Sequence, residues 1–158
     1  MRRNGLEAML GSASYVVAFT GAGISAESGI PTYRGADGLW KRFDPEKVAD
    51  ADNFARNPAY YWEFLREVRY PALSKARPNE GHRALAELER RGRLKALITQ
   101  NVDGLHQDAG SRNVLELHGN TRRIRCLNCD RRFALENLEG LLEGEMPPSC
   151  RNCGGLLR

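Results

Sequence analysis

The chain has 158 residues, of which 41% are hydrophobic and 28% are charged, and its formal net charge is +4. This length fits one globular domain, and no apolar run is long enough to cross a membrane. The basic residues near the start are not followed by the apolar segment of a secretory signal, so we expect a cytoplasmic protein. The small positive surplus fits acidic partners or a phosphate-bearing cofactor, and is equally typical of an ordinary solvated surface.

The first predicted strand, residues 15–19, runs into a glycine-rich turn. The turn reads Gly21-Ala22-Gly23-Ile24-Ser25-Ala26, which fits the strand, tight turn and helix start that hold a pyrophosphate. The following Gly29-Ile30-Pro31 would break a helix, so we expect a mobile loop that carries an aromatic ring and a fixed cation. The candidate cofactor-binding residues of this stretch are Gly21, Ala22, Gly23, Ser25, Ala26, Tyr33 and Arg34.

Two amphipathic helices are predicted in the middle of the chain. Residues 57–70 form the first, with Asn57 as its cap and Pro58 in its first turn. The second runs from residue 79 or 80 to about residue 91 and stops at Gly92, and His82 is most simply an early residue of this helix. A short buried strand at residues 94–99 follows.

Hydrogen-bonding side chains are concentrated directly after that strand. Gln100, Asn101 and Asp103 offer two amides and a carboxylate, and His106 adds an imidazole. Because open α/β sheets bind ligands where their strands end, this cluster could hold ribose hydroxyls or a carboxamide. The alternative is a loop whose side chains satisfy their own backbone.

A third short strand, residues 114–117, delivers His118 at its end, and Gly119 leaves the approach to the ring open. A histidine titrates near neutral pH and is the natural candidate for a general base. The alternative is a structural histidine. His82 and His106 lack this setting, so His118 is our candidate.

The four cysteines form two knuckles, Cys126-x2-Cys129 and Cys150-x2-Cys153. This spacing suits a closed tetrahedral Zn²⁺ site with four thiolates, which would be structural and would not activate water. Two disulfides are the alternative, and they are disfavoured because nothing else indicates an oxidising compartment.

Five arginines surround the first knuckle, and basic zinc ribbons can bind nucleic acid. The simpler interpretation is that they offset the negative charge of a zinc-tetrathiolate centre. Aromatic rings that could stack on bases are nearly absent nearby, with Phe133 as the exception, which disfavours nucleic acid. The five arginines are Arg122, Arg123, Arg125, Arg131 and Arg132.

A short helix is predicted between the knuckles, at residues 135–142.

In order and spacing, four motifs resemble those of the sirtuins. They are the glycine-rich turn with Tyr33-Arg34-Gly35, the Gln100-Asn101-Val102-Asp103 segment, Leu117-His118-Gly119-Asn120, and the paired cysteines. The resemblance spans roughly residues 8–158. It implies an α/β fold with a Rossmann-like parallel sheet in residues 1–121, which binds NAD and has a helical insertion around residues 36–78, and a small zinc-ribbon module in residues 122–158.

The resemblance also implies an activity. Sirtuins are NAD-dependent protein lysine deacylases, which transfer the acyl group of an acyl-lysine to ADP-ribose and release nicotinamide. By this match His118 is the general base, Asn101 shares the catalytic role, Asp103 and Val102 contact the carboxamide, and Gln100 and Asn101 border the ribose. The implied ligands are NAD, one structural zinc ion and acetylated lysine in a protein substrate, without a membrane or nucleic acid.

The sequence departs from the family pattern in two places. Members that remove succinyl or malonyl groups carry Tyr-x-x-Arg where this chain has Trp62-Glu63-Phe64-Leu65, so no cation is expected at the acyl group and uncharged acyl groups, acetyl first, should be preferred. Sirtuins also continue past the last knuckle with further strands and adenosine-binding loops. The sheet should therefore be incomplete at its C-terminal side. The chain is then part of a deacylase and inactive alone, a shortened protein that keeps a partner surface, or a zinc ribbon that binds nucleic acid.

Overall fold

The computed structural model describes residues 3–34, 38–134 and 139–158. Its centre is a parallel sheet of three strands, β1 (Val16–Thr20), β2 (Leu94–Thr99) and β3 (Val114–Glu116), in that spatial order. Each strand is a short apolar run rich in β-branched residues, which explains why all three were predicted to within about one residue. Because the strands are parallel, their C-terminal ends lie at one edge of the sheet.

Helices connect and cover the strands. Short 3₁₀ turns lie at Ala26–Ser28 and Leu39–Lys41, and a π-helical turn lies at Leu65–Arg69. None of the helices within the described residues is long and apolar enough to cross a membrane. The helices are α1 (Arg3–Ser12), α2 (Ala22–Ser25), α3 (Pro45–Ala49), α4 (Ala51–Arg56), α5 (Pro58–Phe64), α6 (Tyr70–Lys75), α7 (Glu80–Arg90), α8 (Leu105–Asp108) and α9 (Glu139–Leu142).

The two faces of the sheet differ in exposure. Helix α7 packs on β2. On the exposed face, Phe19 in β1 has 62% of its surface accessible and Leu115 in β3 has 53%. The strand register places Phe19 beside Ile98 and Ile98 beside Leu115, so these side chains share one apolar surface. The parallel sheet with its helices is Rossmann-like, as predicted, and one of its faces is exposed.

The first predicted helix begins where expected and continues further than expected. Asn57 caps α5, with its side-chain oxygen accepting a hydrogen bond from the backbone of Tyr60. The prediction ended the helix near residue 70, yet α5, the π-helical turn and α6 continue to Lys75. The helical segment tolerates Pro71 because this proline lies in the first turn of α6. The N–H group that proline lacks costs little stability at that position.

The second predicted helix is confirmed at both ends. The side chain of Asn79 accepts hydrogen bonds from the backbone of Gly81 and His82, and the His82 ring accepts one from the backbone of Asn79. Gly92 ends the helix with a φ of 69°. His82 is therefore an early helix residue, as predicted, and its side chain is completely buried.

The zinc module contains an antiparallel ribbon of β4 (Arg123–Arg125) and β5 (Arg132–Ala134). Its interior joins the helical segment in one hydrophobic cluster, and the buried Trp62 ring nitrogen donates to the Leu157 carbonyl at 3.0 Å. Of the helix predicted at residues 135–142, residues 135–138 lie outside the described part, and α9 forms the rest. The cluster comprises Phe54, Trp62, Leu65, Ile124, Cys126, Leu141, Leu142, Cys150 and Leu157.

Candidate active site and metal centre

The ends of the strands bring the three predicted polar segments to one edge of the sheet. The glycine-rich turn follows β1, the Gln100 segment follows β2, and His118 follows β3. The turn forms the single helical turn of α2 and a 3₁₀ turn that ends at Gly29, whose φ is 82°. This confirms that no long helix follows. The side-chain amide of Asn101 donates to the Gly21 carbonyl at 3.0 Å and so fixes the turn against β2.

Asp103 is buried and held at both carboxylate oxygens. The Ser25 hydroxyl donates to one oxygen at 2.7 Å, and the backbone N–H of Leu105 donates to the other at 2.9 Å. The Asn101 amide donates to the Ser25 hydroxyl at 3.1 Å. Ser25, Asn101 and Asp103 therefore form one hydrogen-bonded unit with fixed side-chain directions, as a site that orients a ligand requires.

Two buried histidines lie behind this unit; sequence reasoning placed His106 in the polar cluster but did not connect His82 to it. The His82 Nε2 atom is 3.4 Å from the Ser25 hydroxyl, and the rings of His82 and His106 lie 4.8 Å apart. The His106 Nε2 atom is 2.9 Å from the hydroxyl of Thr20, which itself donates to Thr99. Because the hydroxyl hydrogen of Thr20 is used for Thr99, Nε2 of His106 is the donor in its hydrogen bond to Thr20. His106 Nδ1 is buried and has no hydrogen-bond partner among the described residues.

Burial keeps both histidines neutral. It is the main cause that lowers the pKa of His106 from 6.5 to about 4, and the neighbouring His82 lowers it further. Burial also lowers the pKa of His82, against the opposing effect of Asp103. A proton on His106 would add a buried N–H group at Nδ1, where the described residues offer no acceptor.

This pair predicts acid sensitivity. Between about pH 6.5 and pH 4 the unfolded chain binds protons that folded His106 does not, so the free energy of unfolding should fall as the pH falls through that range. A His106→Gln variant should show a weaker dependence of its thermal unfolding midpoint on pH between 7 and 5. His118→Gln is the matched control, since that ring is exposed and its side chain makes no hydrogen bond or ion pair within the described residues.

His118 faces a large cleft between the sheet edge and the zinc module. The cleft has a volume of about 1000 Å³, large enough for a dinucleotide. Its walls carry five arginines, and none of the described lining residues is acidic. Among the predicted site residues, the cleft is lined by Ala22, Gly23, Tyr33, Arg34, Gln100, Asn101, Val102 and His118.

A small apolar cavity of about 40 Å³ adjoins the cleft. Asn101, Val102 and Asp103 lie in its wall together with Ser25. Val102 and Asp103 were predicted to contact a carboxamide and Asn101 to border the ribose, and these roles stay predictions. Gly21 and Ala26 were also predicted to bind the cofactor, yet neither belongs to the lining of the two cavities.

Arg69 is a cation of the cleft that sequence reasoning did not identify, and the expectation that no cation meets an acyl carboxylate stays a prediction. Arg69 lines both cavities, because the π-helical turn carries it to the same wall as Leu65. Its guanidinium donates to the Tyr33 hydroxyl at 3.0 Å and lies 5.2 Å from the centre of the Phe64 ring. The guanidinium therefore ties the loop after the turn to the helical segment.

The four cysteines form a site that fits zinc. Their sulfur atoms all lie within 4.8 Å of one another, with 3.5 Å between Cys126 and Cys153 and 3.8 Å between Cys129 and Cys150. Zn–S bonds of about 2.3 Å place tetrahedral sulfurs roughly 3.8 Å apart, whereas a disulfide needs about 2 Å. The cysteines are not disulfide-bonded, and their arrangement is that of a closed structural site.

Within the described residues, no side chain of the arginines around the first knuckle hydrogen-bonds a cysteine sulfur, and the interpretation that these arginines offset the charge of the centre stays a prediction. The sulfurs instead receive hydrogen bonds from the backbone of Asn128 and Cys129 and from the amides of Asn128 and Asn152. Arg122 instead pairs with Asp108 at 2.5 Å, and Arg131 donates to the Asn152 oxygen at 3.2 Å.

The fold and the site together define an α/β protein with a glycine-rich turn after its first strand, a ligand-sized cleft and a module that carries four clustered cysteines. Comparison with known proteins makes this specific. The Sir2 family model matches residues 21–158, so the chain belongs to the Sir2 family, and the resemblance to the sirtuins is confirmed.

The relatives are longer than this chain. The NAD-dependent protein deacylase of Aeropyrum pernix is 53% identical over 150 residues, which cover 95% of this chain and 59% of the relative. NAD-dependent protein deacylase 2 of Archaeoglobus fulgidus is also 53% identical, over 57% of its length. A solved Sir2 mutant with a deacetylated p53 peptide and 3'-O-acetyl ADP-ribose is 39% identical, with a TM-score of 0.93 over all of this chain and 63% of that one. This chain corresponds to their N-terminal part.

Proposed function

We propose that this chain carries the NAD site, the general base and the zinc module of an NAD-dependent protein lysine deacetylase. The observation that carries the proposal is the meeting of the glycine-rich turn, the Ser25–Asn101–Asp103 unit and His118 at one cleft. The cleft has the size and the positive charge that a dinucleotide with a pyrophosphate requires. Its relatives in the Sir2 family support the assignment.

Each residue of the cleft has a proposed role that follows from its position. NAD, when bound, supplies the ADP-ribosyl group that accepts the acyl group and the nicotinamide that leaves. Backbone N–H groups at the start of α2 and the side chain of Arg34 would face the pyrophosphate. Asp103 and Val102 would orient the carboxamide in the small cavity, and Asn101 would border the ribose. His118, exposed in the cleft, would take a proton from a ribose hydroxyl.

The zinc ion would have no part in the proton transfers. Four thiolates leave no open position for water or substrate, so the metal would stabilise the wall that carries β4 and Leu65. We propose a reducing, cytoplasmic location for the protein, which the four free cysteines support.

The substrate to be tested first is acetyl-lysine in a protein segment. Arg69 is held by Tyr33 and Phe64, so its guanidinium serves the wall of the cavity and is not set toward an acyl carboxylate. A higher kcat/KM on a succinyl-lysine peptide than on the matched acetyl-lysine peptide would contradict this preference.

The experiment measures the binding of one ligand and the two products of one reaction. ADP-ribose binding to the 158-residue chain is measured by calorimetry, and O-acetyl-ADP-ribose and nicotinamide are measured by mass spectrometry with NAD and an acetyl-lysine peptide. Both assays are repeated on a fusion of the chain to the C-terminal residues of the Aeropyrum pernix relative, since the chain spans only 59% of that relative. Product from either form supports the proposal; failure of both forms to bind ADP-ribose or to form product overturns it.

A further inference from the structure

One face of the β4–β5 ribbon carries three arginines, Arg123, Arg125 and Arg132, which we call the arginine face. Side chains alternate along a strand, so these arginines lie opposite to Ile124 and Phe133, which point into the core. The register pairs Arg125 directly with Arg132. Like charges directly opposite each other destabilise an antiparallel pair. The pairing of these two arginines therefore lowers the stability of the ribbon.

Contacts inside the molecule do not account for the arginine face. Within residues 3–34, 38–134 and 139–158, Arg123 and Arg132 make no side-chain hydrogen bond or ion pair. Arg125 lies 3.5 Å from Asp130, but the two side chains are 56% and 72% exposed, so this pair contributes little. The zinc-site sulfurs are satisfied by backbone and asparagine N–H groups. The three charges remain available to a ligand.

The arginine face continues into the cleft. Arg123 and Arg125 line the cleft together with Arg34, Arg69 and Arg158, and the described lining residues include no acidic side chain. A bound NAD brings one doubly negative pyrophosphate, which Arg34 and the turn would meet. Several positive charges on the zinc-module side of the cleft are then left without a counter-charge. Such a one-sign cleft attracts an anionic ligand and raises its rate of association.

We propose that the arginine face binds acidic side chains that flank the acyl-lysine of the substrate, a proposal that rests on the deacetylase function proposed above. Arg123 and Arg125 are two positions apart on one strand, which separates them by roughly 7 Å. Acidic residues two positions apart in an extended substrate have the same spacing, so two carboxylates can meet the two guanidinium groups while the acyl-lysine enters the cleft at His118.

Nucleic acid fits the arginine face less well. Phe133 is the one aromatic residue between residues 122 and 158, and its ring packs against the hydrophobic cluster. Single-stranded nucleic acid is usually held by rings on which bases stack. Each strand of the ribbon is three residues long, which suits a short peptide segment better than the repeated phosphates of a duplex.

The test compares three fluorescent acetyl-lysine peptides that differ only at the positions directly before and after the lysine, which are two positions apart and carry Glu, Gln or Lys. Anisotropy titrations use the 158-residue chain with ADP-ribose at low and high salt. We expect the Glu peptide to bind about 10-fold more tightly than the Gln peptide at low salt, with most of that advantage lost at high salt. The Lys peptide should bind most weakly.

Substitutions assign the effect to the arginine face. Arg123→Gln combined with Arg125→Gln should bring the affinities for the Glu and Gln peptides within about 2-fold of each other. Arg131→Gln with Arg132 kept is the charge control, because Arg131 donates a hydrogen bond to Asn152 and neither residue lines the cleft. This substitution should leave the preference for the Glu peptide over the Gln peptide intact. Thermal unfolding of each variant confirms that it is folded.

The outcomes separate this proposal from the function on which it rests. Failure of both the 158-residue chain and its fusion to bind ADP-ribose would count against the deacetylase function itself. If ADP-ribose binds but the three peptides bind equally, or not at all, the acidic-flank proposal is wrong. It is also wrong if a succinyl group on the Gln peptide reproduces the whole effect of the Glu flanks, or if a DNA or RNA oligonucleotide binds more tightly than the Glu peptide through the same two arginines.

Discussion

Removal of zinc should unfold the zinc module together with the helical segment packed on it. Cys126 and Cys150 are 1% and 2% exposed and belong to the same cluster as Trp62 and Leu157. Without the metal, four thiols must share a space in which their sulfurs lie within 4.8 Å of one another. Structural zinc contributes about 10–16 kcal/mol of apparent binding free energy, which is comparable to the whole stability of an ordinary domain, about 5–15 kcal/mol.

The fluorescence of Trp62 reports this transition. The ring is completely buried and donates a hydrogen bond to Leu157, so its emission should shift to the red when a chelator is added or when Cys126 is changed to Ser. A Trp40→Phe background leaves Trp62 as the only tryptophan. Metal analysis should give one zinc per chain before chelation and none in Cys126→Ser.

Leu127→Ala is the control for the metal site. Leu127 lies between two ligands but is 48% exposed, so its loss should leave both the zinc content and the emission spectrum unchanged. A chain that loses its zinc while Trp62 remains buried and the unfolding midpoint stays the same would contradict the prediction.

Sequence patterns predicted those parts of the fold that depend on local chemistry. The strands follow from short apolar runs, and α7 follows from Asn79 at one end and Gly92 at the other. The zinc site follows from spacing alone, because paired knuckles leave few other uses for four cysteines. In each case the signal lies within a few residues along the chain or in a recurring set of ligands.

Features that depend on distant contacts could not be predicted in this way. The buried pair of His82 and His106 exists because α7 and α8 pack side by side, with residues 24 positions apart brought into ring contact. The π-helical turn, which moves Arg69 into the cavity wall, follows from no periodicity in the sequence. The arginines near the first knuckle form a dense local cluster, yet the fold divides them among an ion pair with Asp108, a hydrogen bond to Asn152 and the arginine face.

His118→Ala should lower the rate of O-acetyl-ADP-ribose formation by about 10²- to 10⁴-fold, the usual contribution of a general base. The ring stands exposed at the end of β3 and lines the cleft, and no hydrogen bond of its side chain is present among the described residues. The substitution should therefore leave the unfolding midpoint unchanged and the affinity for ADP-ribose within about 2-fold. The rate is measured in the form of the protein that yields product, the chain alone or its fusion.

Asn101→Ala provides the contrast, because Asn101 is tied into the structure. Its amide donates to Gly21 and Ser25, so its loss should weaken both ADP-ribose binding and stability along with the rate. The two variants thus separate a group that acts on a bound ligand from one that also builds the site. If His118→Ala lost affinity and stability in the same proportion as Asn101→Ala, His118 would be a structural histidine, and the general base would have to be sought elsewhere along the cleft.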